Sequence, residues 1–113
     1  MIEGTGFGWI VIDGKRYNSD VLILATGEIK DRYENFSGSS HSLSKIEVDI
    51  LLTGSPEVII VGTGQAGCLV IPKEIKDYIK KKDVSCLQFP TPEAIKVFNQ
   101  EKRKKSALFH LTC

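Results

Sequence analysis

The spacing of apolar and polar positions divides the chain into a strand-rich front and an alternating back. Phe7 to Ile12 reads FGWIVI and alternates around Phe7, Trp9 and Val11, with Trp9 expected in the core. Asp13-Gly14 follows as a hairpin signal, because both residues tolerate positive φ, and a short return runs through Lys15, Arg16 and Tyr17. VLILAT, Val21 to Thr26, is apolar on both faces, which predicts a strand covered on both sides. The front therefore reads as a small N-terminal β-meander. Gly27 to Ser44 has no periodicity and is rich in Gly, Ser, Asn and charge, so it reads as a long surface loop, a kind of segment that often carries function.

Ser44 and Glu47 fit a capping box, in which hydroxyl and carboxylate each satisfy a free backbone N–H. A short helix then runs to about Thr53, before Gly54-Ser55-Pro56 stops it. Behind it, Val58 to Val61 is a strand, and Pro72 suits the first residue of a helix over Lys73 to Lys82, with Ile75, Tyr78 and Ile79 on one face. Val84 to Phe89 is the next strand. Thr91-Pro92-Glu93 supplies an N-cap, a proline and a first-turn acid for a helix running to about Lys105, and Ala107 to Thr112 is a last strand. This β-α-β-α-β order predicts a parallel or mixed sheet flanked by helices, with the front strands completing it or forming a second layer.

At 113 residues the chain is expected to form a single domain, residues 1–113, large enough to bury a core without metal or disulfide staples. It is 42% hydrophobic and 26% charged with a formal net charge of +1, so no global field points to nucleic acid, an anionic membrane or an acidic substrate. Cys68, Cys86 and Cys113 are odd in number and widely spaced, which fits a reducing compartment and makes the cytoplasm the expected location. The first residues, MIEGTGFGW, carry an acid where an export signal would be basic. The longest uncharged run, Val58 to Pro72, falls short of the ~20 apolar residues of a bilayer span.

Gly62, Gly64 and Gly67 reproduce the G-x-G-x-x-G spacing used against a pyrophosphate. A dinucleotide site also needs a helix opening inside the motif and an acid ending the next strand. Here Cys68 to Ile71 is β-favouring, a helix from Gly64 would hold Pro72 in its interior at about 3 kcal/mol, and Asp83 precedes the following strand. The glycines read as a tight turn with close backbone approach, and no NAD, FAD or ATP cofactor is expected. A weaker reading survives, in which backbone N–H groups of Gly62, Thr63, Gly64 and Gln65 cradle a small anion, with His41 and His110 nearby.

VIIVGTG, then IPKEIKDYIKKKDVSCLQFPTPEAIKVFNQ, then the terminal ALFHLTC resemble the Mth-type domain of unknown function. That family includes small archaeal and bacterial hypothetical proteins, an adipogenesis-associated Mth-domain protein and a mitochondrial complex I assembly factor. The front segment WIVIDGKRYNSDVLIL also looks like the family's opening, and His41 falls where relatives place a loop histidine. The chain departs from the pattern at Tyr33, where some relatives have tryptophan, and at Asp83, where a glycine usually follows the helix. The resemblance implies a three-layer α/β fold around a mixed sheet, no established catalysis, and roles described through partners.

Other constellations have plainer readings. His110 and Cys113 lie three apart, on opposite sides of a strand, and with His41 they lack the spacing of a zinc site. His110 reads as a hydrogen-bonded histidine in or beside the core. Cys113 sits beside a carboxylate that disfavours its thiolate. Lys80-Lys81-Lys82 and Lys102-Arg103-Lys104-Lys105 fall at expected helix C-termini, where the helix dipole favours positive charge, and no aromatic interleaving suggests base stacking. Tyr33 and Phe36 on the long loop are the interface candidates, for an unknown protein partner or for self-association. The expectation is a non-catalytic binding or assembly-type module. The alternative is an anion- or small-molecule-binding protein or enzyme, with a pocket at the Gly62–Gly67 turn.

Overall fold

The structure, a computed structural model, describes residues 1–34 and 38–113. Three strands, β1 (Ile2–Gly6), β2 (Trp9–Ile12) and β3 (Lys15–Tyr17), form an antiparallel meander of their own. Next come β4 (Val21–Ile23), β5 (Ile29–Asp31), α1 (Lys45–Leu51), β6 (Val58–Thr63), α2 (Lys73–Lys81), β7 (Ser85–Phe89), α3 (Thr91–Gln100) and β8 (Lys105–His110). The main sheet has the order β5-β4-β8-β6-β7, with β8, β6 and β7 parallel and the first two pairings antiparallel.

Three layers result. Val21 and Ile23 of β4, Val58 and Ile60 of β6, and Ala107 and Phe109 of β8 face a core shared with α3 and with Ile2, Ile10 and Ile12 of the meander. The alternate residues Leu22, Ile59, Val61 and Leu108 face a second core closed by α1 and α2. Every residue of β6 is buried, as its unbroken apolar run requires, and each large apolar side chain there contributes about 1.5–3 kcal/mol by leaving water. Asn99 of α3 grips β1 by accepting from the Ile2 N–H at 2.9 Å and donating to the Ile2 carbonyl at 2.8 Å, which ties the meander to the helix layer.

The α/β, three-layer expectation holds, with local differences. Of VLILAT, Val21 to Leu24 is covered on both faces while Thr26 is exposed, and the run belongs to the main sheet, with the meander wholly before it. Because β2 turns Ile10 and Ile12 inward, Trp9 is half-buried on the outer face with the Arg16 guanidinium 5.0 Å from its ring, and Phe7 is exposed in the β1–β2 turn. Strand β5 arises inside the segment read as loop. The Ser44–Glu47 capping box is present. Helix α3 stops at Gln100, so Lys102–Lys105 follow it instead of forming its last turn, and Lys105 begins β8 opposite Val58. Its ammonium still reaches back to the Glu101 carbonyl at 2.9 Å, and to that of Phe98, meeting the helix's open C-terminal acceptors.

Candidate functional site

Strand β6 leads through α2 to β7 across one face, and β7 leads back through α3 to β8 across the other, so the connections leave the carboxyl ends of the neighbours β6 and β7 on opposite faces. In open α/β sheets the crevice at the carboxyl ends of the strands, at such a point, is the favoured ligand position. Thr63 and Gly64 stand there, with His110 beside them at the end of β8. Thr91, expected as the N-cap of α3, is its first helical residue after Pro90. Its hydroxyl instead ties the crevice together, donating to the His110 carbonyl at 2.5 Å and accepting from the Gly64 N–H at 2.9 Å.

The glycine turn is held by the protein itself. Gly64 adopts φ +110°, which strongly disfavours any β-branched residue. Gly62 is limited by space, since a Cβ there would lie 2.7 Å from the Phe109 ring and 2.9 Å from Thr91 Oγ1. The Gln65 N–H donates to the Thr112 carbonyl at 2.7 Å. Those of Ala66 and Cys68 donate to the Cys113 carbonyl at 3.1 and 3.0 Å, that of Gly67 to Gly64, and that of Leu69 to Thr63. Thr63 donates its hydroxyl to the Phe89 carbonyl at 3.1 Å, and the Gln65 side-chain amide donates to Thr5 Oγ1 and the Gly6 carbonyl. The donors an anion would need are thus engaged with the chain's own acceptors, and α2 begins at Lys73, well past the motif.

The charge of the site lies beside the turn and centres on Asp20, a residue the sequence reading did not single out. One of its oxygens accepts from the Leu111 N–H at 2.8 Å. The other lies 2.7 Å from His110 Nδ1, 3.0 Å from Arg32 Nη1 and 2.7 Å from the Tyr33 hydroxyl. Arg32, whose side chain is fully buried, continues to Glu47, with Nε 2.6 Å from Oε2. It also donates to the carbonyls of Ser40 at 2.8 Å and Ser42 at 3.3 Å. Glu47 is therefore both the acid of the capping box and the counter-ion of Arg32.

Burial by itself would raise the Asp20 carboxyl, but the hydrogen bonds from His110, Tyr33 and Leu111 outweigh it, and its pKa lies below the ordinary carboxylate value. Burial would lower the Arg32 value. The bonds and charge of Glu47 and the bond to Asp20 outweigh that effect and raise it. Burial and the bond to the Asp20 carboxylate push the Tyr33 hydroxyl up to about 12. An ionised Asp20 is acceptor-only, so His110 carries its proton on Nδ1. When the ring is neutral, Nε2 is the acceptor, 3.3 Å from the Thr112 hydroxyl.

Of the residues singled out in advance, His41, His110 and Gly64 meet: the two imidazoles stand edge to face with centroids 5.4 Å apart, and a Cβ on Gly64 would press on the His110 ring. His110 is 1% exposed, whereas His41 is exposed and Tyr33 38% exposed. Gln65 points away toward the meander, and Phe36 lies outside the described residues. Among the described residues no group of three or more His, Cys, Asp or Glu side chains is arranged for a metal ion, and no helix is long and apolar enough to cross a membrane.

The family model described as "Protein of unknown function (DUF498/DUF598)" matches residues 2–110. The crystal structure of the conserved hypothetical protein PH1505 from Pyrococcus horikoshii OT3 superposes with a TM-score of 0.89 at 34% identity, covering 100% of this chain and 99% of that one. A solved structure titled MT938 gives 0.81 at 30% identity, covering 100% and 98%. A Francisella tularensis protein named "13 kDa major membrane protein" is 28% identical over 92 residues, 81% of this chain and 72% of the relative. An outer membrane protein from Bartonella henselae shares the fold at 21% identity and a TM-score of 0.80, covering 99% and 94%. These findings bear out the resemblance to the Mth-type domain.

Proposed function

The chain belongs to the DUF498/DUF598 family of proteins of unknown function, and from that premise we propose that it is a non-catalytic binding or assembly-type module. Its surface is centred on the exposed side chains of Tyr33 and His41, and its partner is a protein. The supporting observation is the Arg32 clamp. A fully buried guanidinium joins Asp20, Glu47 and the carbonyls of Ser40 and Ser42, so it holds the chain beside Tyr33 and the chain beside His41 in place. Burying a charge costs several kcal/mol, which pairing and hydrogen bonds must offset, and in some proteins such a group serves to specify one conformation. Here the buried charge fixes the backbone beside Tyr33 and His41, both of which face solvent, and a pre-ordered surface loses less entropy on association.

The test is Tyr33→Ala combined with His41→Ala. The pair is expected to abolish capture of the partner that the wild-type chain retains from its native host, while the chain stays folded with a loss of no more than about 3 kcal/mol, the upper value for the hydrogen bond that Tyr33 donates to the Asp20 carboxylate. Equal capture by both chains, or none by the wild type, contradicts the reading. A cytoplasmic location is part of the proposal and is supported by three free cysteines. Recovery in a membrane fraction, where the names of two relatives place those proteins, contradicts it.

A second reading, a ligand site with His110 as acid or base, is favoured by the Asp20-oriented imidazole at the carboxyl end of β8, next to that of β6. The burial of that ring and the engaged turn amides weigh against it. Thermal-shift scans with millimolar NAD, FAD, ATP or inorganic phosphate are expected to show no saturable rise. A ligand at 100 times its Kd would add about 2.7 kcal/mol, and a rise that His110→Ala removes would establish the second reading instead.

A further inference from the structure

Four strands form sheet edges among the described residues: β1, β3, β5 and β7. Edges are ordinarily protected by charge, and β1 carries Glu3, β3 carries Lys15 and Arg16, and β5 carries Lys30 and Asp31. Strand β7, SCLQF, carries none. The Ser85 N–H bonds to the Glu57 carbonyl and the Phe89 carbonyl accepts from Thr63, so residues 85, 87 and 89 direct their backbone toward β6. In a parallel ladder the N–H and C=O of Cys86 and Gln88 then point outward.

An open groove of about 500 Å³ runs beside this edge, with Ile79, Val84 and Cys86 as its apolar floor and Lys76 and Lys80 on its rim. Asp83 is the carboxylate of the lining, at the end where β7 begins. On the opposite face Leu87 and Phe89 are half-buried against the core of α3, leaving part of each ring or branch open to the edge.

We propose that β7 is a docking edge for an extended protein segment in which acidic and apolar side chains alternate. Main-chain hydrogen bonds to Cys86 and Gln88 would supply the strand addition. The period of two would send the acids toward Lys76 and Lys80 and the apolar residues toward Leu87 and Phe89. A second copy of this chain paired edge to edge about a two-fold axis would set Lys76 and Lys80 against their own equivalents, which disfavours self-pairing. The proposal is independent of the Tyr33 and His41 surface: Tyr33 follows β5 at the opposite edge of the sheet, and His41 stands against His110 at the end of β8.

The probes are two blocked peptides of alternating sequence, Val-Glu-Val-Glu-Val and Val-Lys-Val-Lys-Val, titrated against the 15N-labelled chain. The glutamate peptide is expected to shift the Cys86 and Gln88 amides saturably, to bind about fivefold tighter than the lysine peptide at low salt, and to lose that margin as salt is raised. Gln88→Pro removes one outward N–H at a position where an edge strand tolerates proline, and is expected to abolish binding with the rest of the spectrum intact. Lys76→Glu with Lys80→Glu is expected to reverse the preference between the peptides. The proposal is overturned by shifts that map elsewhere, by none at millimolar peptide, by undiminished binding in a folded Gln88→Pro chain, or by a concentration-dependent dimer that this substitution dissolves.

Discussion

At one edge of the five-stranded sheet, β5 is three residues long, carries Lys30 and Asp31, and runs directly into Arg32, whose charge is buried between Asp20 and Glu47. At the other edge, β7 is five residues long, carries no charge, and borders a groove with lysines on its rim. Beyond the first edge, the bonds of Arg32 tie the chain that follows β5 to Asp20, Glu47 and the carbonyls of Ser40 and Ser42. The second is left with outward backbone groups and half-covered apolar side chains. The difference separates two ways a small domain can hold a surface ready: ordering a loop with buried charge, or leaving a strand unpaired.

The comparison breaks most visibly at Asp20. Asp20→Ala leaves the buried Arg32 and His110 each without their shared acceptor, and is expected to destabilise by about 3–5 kcal/mol, read as a lower urea midpoint. Asp77→Ala, which removes an exposed partner of Lys73, serves as the surface control and should leave the midpoint nearly unchanged. A similar midpoint for the two variants would show that the buried network contributes no more than a surface pair.

A smaller loss is expected at the crevice between the edges. Gly64→Val places a β-branched residue at φ +110° with its Cβ against Cys113 and His110, and should destabilise by more than about 1 kcal/mol. An unchanged midpoint would mean that the turn relaxes freely, and the glycine would lose its structural role.

The acid range sharpens the same point. The Asp20 pKa in the fold lies below its usual 3.8, so the unfolded chain takes up this proton first as pH falls. The stabilisation is fully present above that value and disappears as pH drops through the lower, folded one. The stability gap between wild type and Asp20→Asn should therefore narrow below about pH 4. A gap that holds constant down to the acid limit would remove the carboxylate's charge from the account.

Patterns that repeat along the chain were legible in the sequence, and single charges were not. The capping box at Ser44 and Glu47, the two-sided burial of VLIL, and the helix–strand rhythm after Val58 each rest on residues close together in sequence whose spacing carries the signal, and all are present. Strand β1 offers one buried apolar residue, Ile2, among glycines and polar groups. Strand β5 is three residues long, too short for alternation to register. Pro72 correctly separates the glycine motif from a helix start, since α2 begins at Lys73. Asp20 and Arg32 precede or follow short strands with nothing in spacing to say that a carboxylate from one meets a guanidinium from the other. The signal that existed was indirect: Arg32 stands beside Tyr33 in a loop otherwise dominated by small polar residues, and Glu47 had already been assigned a partner that occupies part of its carboxylate.

The most direct test of the account is native-state hydrogen exchange at the joint between the loop and the body. There the Leu43 N–H donates to the Val70 carbonyl and the Val70 N–H to the His41 carbonyl, at 3.0 and 2.8 Å. In Arg32→Lys, which keeps a charge but loses the fork that reaches Asp20, Glu47 and two carbonyls at once, Leu43 and Val70 should exchange markedly faster. The amides of β6 and β8 should keep their protection relative to one another. If Leu43 and Val70 stay as protected as in the wild type, Arg32 does not order the loop, and the pre-formed binding surface at Tyr33 and His41 has no structural basis.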